Sequence, residues 1–230
     1  MSKRISADFF KMNEFVNNYS LRDHSNSKTQ IEECKAMHKK LYGLLIFVAE
    51  FIDLNKQSIT TEYMEEMASD LLLSLFNWIQ GMYKPAKLEL RCSIENFLKS
   101  VLSISFPLII EEKSVYVIFD LSKVDKHFDN SFGFPRLEQL RTDYSNLCRT
   151  VHSAQLDIHS MSALNLLPQY QEEFSQEIFS IYLRIVENYL SILFVNYPVI
   201  IDIMHPENKK DFLDCLSQSS KAEINKVLFS

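Results

Sequence analysis

Apolar residues recur at three- and four-residue steps along most of the chain, which is the spacing of one face of an α-helix. The helices that this pattern predicts cover about 5–19, 29–54, 61–83, 85–106, 135–153, 170–196 and 221–229. Pro85 and Pro135 suit the first positions of their helices, because proline has no backbone N–H to leave unbonded there. Pro107 should end the helix that Pro85 begins.

Capping residues define two of the helix starts more closely. Thr60 or Thr61 is expected to cap the helix over 61–83, whose first turn is acidic and therefore suits the positive end of the helix dipole. Ser220 and Glu223 have the spacing of a capping box for the last helix. Between 108 and 134 the pattern is ambiguous: "SVYVIFD" (114–120) fits a short strand or a helix, and "NSFGFP" (130–135) a loop.

The scarcity of turn residues favours helices over strands. The chain of 230 residues has only three glycines and six prolines, too few to turn a meander of short strands. We therefore predict an all-α protein, an antiparallel bundle of six to eight helices in a single domain over 1–230. Helices over 5–54 would precede the core of this domain, and a helical appendage over 198–230 would follow it.

Charge and cysteine spacing narrow the functional classes. The formal net charge of −6 disfavours binding to duplex nucleic acid over the whole surface, although it leaves room for a local basic patch. The four cysteines lie far apart without a CxxC pair, which predicts reduced, mostly buried thiols. The N-terminus lacks an apolar signal region, and the longest apolar run, 190–201, is too short to span a bilayer. We expect a cytoplasmic protein without a membrane segment.

An arginine and a glutamate lie within the apolar face of the helix over 85–106. Arg91 projects into an arc formed by residues such as Leu98 and Leu102, and Glu95 follows one turn later at the margin of that arc. A buried arginine needs a carboxylate or several carbonyl partners, because an unpaired buried charge costs several kcal/mol. The pair is interpreted either as a core salt bridge that fixes helix packing or as a pair with a direct catalytic role, and both residues are candidates for binding at the border of a groove.

The helix over 135–153 carries a second set of candidate residues. Arg141, Ser145 and His152 lie on one shoulder of its core face, and Arg149 lies a little further round. An imidazole beside a guanidinium is suited to acid–base work on a phosphodiester, because the guanidinium can stabilise the charged transition state. His152 and Arg149 are therefore the candidate catalytic residues, and Arg141 and Ser145 the candidate phosphate contacts. The alternative is that His152 caps or packs the helix.

No cofactor or metal is predicted. The histidines and cysteines show no metal-ligand spacing, and the chain contains neither a glycine-rich phosphate loop nor a GxSxG motif.

Two segments, "LRCSIENFLKSVL" (90–102) and "YSNLCRTVHS" (144–153), resemble sequences of the HEPN superfamily (higher eukaryotes and prokaryotes nucleotide-binding). In that family a helix with an arginine followed by a glutamate packs on a later helix with a tyrosine and then a histidine. The corresponding residues here are Arg91 and Glu95, then Tyr144 and His152. The resemblance covers about 70–155 and extends to a core over about 70–196.

The resemblance implies an antiparallel bundle, frequent homodimerisation and a place in bacterial toxin–antitoxin or phage-defence systems. Catalytic members are metal-independent ribonucleases, whose motif is an arginine, four to six residues and a histidine. This chain lacks that spacing, since Arg149 precedes His152 by only three positions. Whether the protein is an enzyme therefore stays open at this point.

The two functions expected from these features belong to different classes. The first is a defence or toxin component that binds or cleaves RNA, for which the segment 121–154, with five basic and four acidic residues, is the least repulsive region of an acidic chain. The second is a non-catalytic interaction module that holds a partner protein encoded in the same operon. A homodimer is expected in either case.

Overall fold

The computed structural model describes residues 28–55, 58–152 and 168–228, together with Glu14 and Asn18. Within these residues the chain is all-α, with nine α-helices, one short 3₁₀ helix (Pro107–Glu111) and no strand, which confirms the predicted fold class. The α-helices are α1 (Lys28–Asn55), α2 (Ile59–Ile79), α3 (Tyr83–Leu102), α4 (Val115–Ser122), α5 (Gly133–His152), α6 (Glu172–Asn196), α7 (Pro198–Ile203), α8 (Pro206–Cys215) and α9 (Gln218–Leu228).

The structure settles the secondary structure of the ambiguous segment, and several helices begin at other residues than predicted. Residues 114–120 belong to a helix, α4, and not to a strand. Helices α3 and α5 begin two residues before Pro85 and Pro135, and α5 takes in half of the loop predicted over 130–135. The predicted helix over 5–19 lies outside the described residues except for Glu14 and Asn18, which are helical.

The cap predicted for α2, Thr60 or Thr61, is wrong by two or three residues. Ser58 is the N-cap, and its hydroxyl and that of Thr61 each accept a hydrogen bond from the other residue's backbone N–H. Thr60 does not cap the helix, because its hydroxyl bonds instead to the Ser103 hydroxyl at 2.7 Å.

The capping box predicted for α9 is also wrong. Ser220 lies inside the helix, and its backbone N–H donates to the Ser217 hydroxyl at 3.1 Å. Glu223 pairs with Arg136 of α5, with the carboxylate 2.5 Å from the guanidinium, and so is drawn away from the helix start.

Helices α2 and α3 form an antiparallel hairpin joined by three residues. Gly81 in this turn has a φ of 71°, in the left-handed region that favours glycine. A Cβ here would also lie 2.8 Å from the Gln169 carbonyl oxygen, so the turn passes too close to the segment before α6 for a side chain. The hairpin is held internally by a hydrogen bond from the Ser74 hydroxyl to the Ala86 carbonyl.

Helix α6 lies at the centre of the bundle, in contact with α1, α3 and α5. Its Tyr189 ring stacks on Phe97 of α3, with ring centroids 4.0 Å apart, and both side chains are fully buried. Among the described helices α6 alone is long and apolar enough to cross a membrane, but 56% of its most apolar window is buried inside the protein, as in the core helix of a bundle. One contiguous apolar core includes side chains from every helix, α7, α8 and α9 among them.

Candidate functional site

The two segments that carry the family resemblance meet in a network of three side chains. Arg91 Nε of α3 donates to the Tyr144 hydroxyl of α5 at 3.0 Å, and that hydroxyl donates to Glu95 Oε1 at 2.9 Å. A direct ion pair closes the network, with Arg91 Nη2 2.9 Å from Glu95 Oε1. The Arg91 guanidinium also lies over the Tyr144 ring, 5.2 Å from its centroid.

The predicted ion pair therefore exists, but it lies at the edge of the core. The Arg91 and Glu95 side chains are 28% and 25% exposed, so Arg91 is less buried than its place within the apolar arc predicted, whereas the exposure of Glu95 fits its place at the margin of that arc. The reason is that Tyr144 covers the pair from α5 without sealing it. Helical periodicity identifies the core face of α3, but the neighbour that covers its margin comes from a helix about 50 positions later.

The protonation states of Arg91 and Tyr144 are fixed near neutral pH. Burial works against the Arg91 charge, but the hydrogen bond with Tyr144 and the nearby Glu95 raise the net pKa of the guanidinium further above its usual value. Burial raises the pKa of the Tyr144 hydroxyl, and Glu95 raises it further against the opposing effect of Arg91. Tyr144 is therefore a neutral phenol that accepts from a cation and donates to a carboxylate.

Tyr144 also forms part of the wall of a cleft between α4 and α5, with a volume of about 560 Å³. We call this the α4–α5 cleft; its lining residues are Val115, Tyr116, Phe119, Arg141, Tyr144, Ser145, Cys148 and Arg149. Its size lies within the range of roughly 300–1,000 Å³ that is typical of ligand pockets. The Tyr144 ring packs edge-on against Phe119, with centroids 5.8 Å apart, so the network behind Tyr144 also fixes this wall of the cleft.

The α5 side of the cleft is a polar stripe. Arg141, Ser145 and Arg149 follow one another at four-residue steps and so lie on the same face of the helix. Ser145 and Arg149 are exposed and Arg141 is half-buried, with its guanidinium 4.0 Å from the Glu138 carboxylate. The cleft lining contains both arginines and no acidic residue.

The α5 stripe is held in place from the opposite side of the helix. Asp143 is fully buried, and Arg184 of α6 contacts both of its carboxylate oxygens, at 3.2 and 3.0 Å from Nε and 2.5 Å from Nη2. Such a bidentate pair fixes the rotation of α5 about its axis relative to α6. The hydrogen bonds that Arg184 donates to Asp143 raise the pKa of Arg184 above its usual value.

The structure brings together most of the predicted site residues. Arg141, Tyr144, Ser145 and Arg149 line one cleft, and Arg91 and Glu95 hold Tyr144 from behind. His152 is the last residue of α5, three positions after Arg149, and its side chain lies outside the part of the chain that the structure describes.

Sequence reasoning missed the α4 wall, formed by Val115, Tyr116 and Phe119. Their spacing of one and four residues is that of a helix face, but an eight-residue segment rich in valine and aromatic residues fits a strand equally well. The Asp143–Arg184 pair was also missed, because its members are 41 positions apart on different helices.

No group of three or more metal-ligating side chains is clustered in the residues that the structure describes. All four cysteines are free, and only Cys215 is fully buried, so the thiols are less buried than predicted. Burial, with further contributions from Asp70 and Glu95, raises the pKa of Cys92 to about 11, which keeps this thiol protonated.

Comparison of the chain with protein-family models, with characterised proteins and with solved structures finds no match. The function must therefore be argued from the residues of this chain.

Proposed function

We propose that the protein binds single-stranded RNA in the α4–α5 cleft. The observation that carries this proposal is the lining of the cleft, in which two arginines and no acidic residue surround an aromatic wall. In a chain with a net charge of −6, such a surface provides local attraction for phosphates, which the net charge of the whole chain repels.

Phosphate contacts are assigned to the polar stripe of α5. Arg141 and Arg149 present planar guanidinium groups, which pair with phosphate oxygens in a bidentate manner, and the Ser145 hydroxyl between them can donate to the same group. Both arginines project from a rigid helix that the Asp143–Arg184 pair anchors, so little ordering is needed on binding.

Base contacts are assigned to α4. Tyr116 is 75% exposed at the rim of the cleft, an unusual position for a large aromatic side chain. An exposed aromatic ring beside arginines is the arrangement on which unpaired bases stack, a contact worth about 1–3 kcal/mol per base. Bases in a duplex are already stacked on each other, so this arrangement favours single strands.

The cellular role that we propose is that of a component of a bacterial defence or toxin–antitoxin system. It rests on the resemblance to the HEPN superfamily, and the contact of Arg91 and Glu95 with Tyr144 supports it, because the resemblance implies such packing. Cleavage of RNA would need a proton-transfer group that the lining of the cleft does not supply. We assign that role to His152, at the end of the same helix.

The binding proposal is tested by fluorescence anisotropy with a labelled 12-nucleotide single-stranded RNA at low salt. Arg141→Gln and Arg149→Gln should each weaken binding about tenfold, the loss expected for one phosphate contact. Lys126→Gln is the matched control, since it removes one positive charge from an exposed position outside the cleft. Equal weakening by all three variants would contradict the proposal, because it would indicate general electrostatic attraction.

Cleavage is tested on the same RNA in EDTA. If His152 transfers a proton, His152→Ala should abolish cleavage and leave both the affinity for RNA and the melting temperature unchanged. A variant that is less stable but cleaves as well as the parent would assign His152 to helix packing instead.

A second candidate function, a non-catalytic interaction module that holds a partner protein, is favoured by one feature of α2. Leu72, Leu73 and Phe76 lie on adjacent positions of one helix face and are 53%, 46% and 47% exposed. An apolar row of this kind on a helix is typical of a surface that packs against another protein.

A further inference from the structure

A second concave surface lies far along the chain from the α4–α5 cleft, at the C-terminal end of the bundle. We call it the C-terminal groove; it runs between α8 and α9 over the end of α6 and has a volume of about 530 Å³. Its apolar lining consists of Phe194, Pro206, Leu213, Leu216 and Ile224. Leu216 and Ile224 belong to the main core, so packed core side chains form the base of the groove and make it rigid.

The edges of the groove are basic. Lys209, Lys210 and Lys221 line it, against a single acidic residue, Asp214. Lys209 has a loose contact with the exposed Asp202 carboxylate, at 3.4 Å. Over the described ranges, neither Lys210 nor Lys221 has a carboxylate within ion-pair distance.

These charges are not explained by folding. Elsewhere in the described residues, lysines that contact the bundle have partners: Lys87 pairs with Glu177 at 2.6 Å and Lys40 with Glu187, and Lys99 contacts a backbone carbonyl and an aromatic ring. Lys221 is likewise half-buried, at the start of α9, but lacks such a partner. Collecting like charges around an apolar surface costs stability unless an anion compensates them, and the net charge of the chain shows that lysines are not in general excess.

We propose that the C-terminal groove binds a small amphipathic anion, a free molecule with an apolar body and a phosphate or carboxylate head. The body would lie on Phe194, Leu213 and Ile224, and the head would contact Lys210 and Lys221. The volume suits one small molecule. The inference is independent of RNA binding, because no residue is shared between the groove and the α4–α5 cleft.

The test uses n-octyl phosphate, titrated calorimetrically into the full chain below its micelle concentration. Two further titrations use inorganic phosphate, which has only the anionic head, and octanol, which has only the apolar body. Octyl phosphate should bind, and each separate part should bind at least about tenfold more weakly. Lys221→Gln should weaken binding of octyl phosphate about tenfold, and Lys226→Gln, an exposed lysine of α9 outside the groove, should leave it unchanged.

Three results would overturn the proposal. The first is no binding of octyl phosphate by the parent protein, and the second is equal weakening by Lys221→Gln and Lys226→Gln. The third is binding of anionic phospholipid vesicles that depends on Lys221 and is tighter than binding of octyl phosphate, since that would make the groove a membrane-surface contact. Melting temperatures of both variants within about 2 °C of the parent would show that folding is not the cause of any loss.

Discussion

Removal of the Tyr144 hydroxyl is the most informative single change, because one atom joins α3 to α5 and shapes the α4–α5 cleft. Tyr144→Phe keeps the ring and its edge contact with Phe119. It deletes the hydrogen bond that the hydroxyl accepts from Arg91 at 3.0 Å and the one that it donates to Glu95 at 2.9 Å.

The magnitude follows from the charge and exposure of the two partners. A buried hydrogen bond to a charged group contributes about 1.5–3 kcal/mol, so two would contribute at least about 3 kcal/mol. Arg91 and Glu95 are 28% and 25% exposed and keep their direct contact of 2.9 Å, so water and the remaining ion pair replace part of the loss. We expect Tyr144→Phe to lower the free energy of unfolding by about 2 kcal/mol, and the melting temperature by about 4–8 °C.

Urea unfolding followed by circular dichroism measures this loss, with Tyr116→Phe as the matched control. Tyr116 is 75% exposed, and its hydroxyl forms no hydrogen bond recorded within the described part of the chain, so its loss should change stability by less than about 0.5 kcal/mol. If Tyr144→Phe is as stable as the control, the network does not hold α5 on α3. A double variant with Glu95→Gln should lose less than the sum of the two single changes, because both act on the same hydrogen bond.

Three further predictions concern other parts of the molecule. Burial, followed by the charges of neighbouring glutamates, raises the pKa of Asp70 to about 6. The folded state therefore binds the carboxyl proton of Asp70 more tightly than the unfolded chain does, so the free energy of unfolding falls as the pH rises through that value. Asp70→Asn should raise the free energy of unfolding by about 1–2 kcal/mol at pH 8 and by almost nothing at pH 4, and a gain of equal size at both values would refute the assignment. The Tyr197 hydroxyl is buried without a partner among the described residues, so Tyr197→Phe should be neutral or stabilising by up to about 1 kcal/mol in the same assay; a clear loss would show that ordered water bonds this hydroxyl. Light scattering should give a homodimer that Leu73→Lys converts to a monomer, whereas a parent protein that is monomeric at all concentrations would contradict dimerisation through the apolar row of α2.

Periodicity alone predicts much of this structure. Long helices such as α1 and α6 can be predicted from the sequence, because many apolar positions repeat at helical spacing and each apolar face must be buried against another element. Short elements carry too few repeats, which explains why α4 could not be distinguished from a strand. The caps of α2 and α9 were misplaced because serine and threonine hydroxyls near a helix start have several partners in reach, and tertiary contacts decide among them.

In the candidate site, too, the features within one helix were predictable, whereas most contacts between helices were not. Arg141, Ser145 and His152 were predicted on one shoulder of a single helix, with Arg149 a little further round, because helical geometry relates residues of one helix directly. Tyr144 was assigned to the candidate site because of the resemblance to the HEPN superfamily, and not because of its spacing from other polar residues. The resemblance also implied its contact with Arg91 and Glu95 on α3. The α4 wall and the Asp143–Arg184 anchor depend on which helices meet, and nothing in a single sequence encodes that pairing directly.

Mapping where bound RNA contacts the chain tests most directly the proposal that RNA lies between α4 and α5. A single-stranded RNA that contains 4-thiouridine can be cross-linked to the full chain by long-wavelength light, and the modified peptides mapped by mass spectrometry. The account predicts cross-links at Tyr116 and within 141–149 of α5, reduced by excess unlabelled RNA and by Arg141→Gln. Cross-links confined to the C-terminal groove, or spread evenly over the exposed lysines, would contradict it.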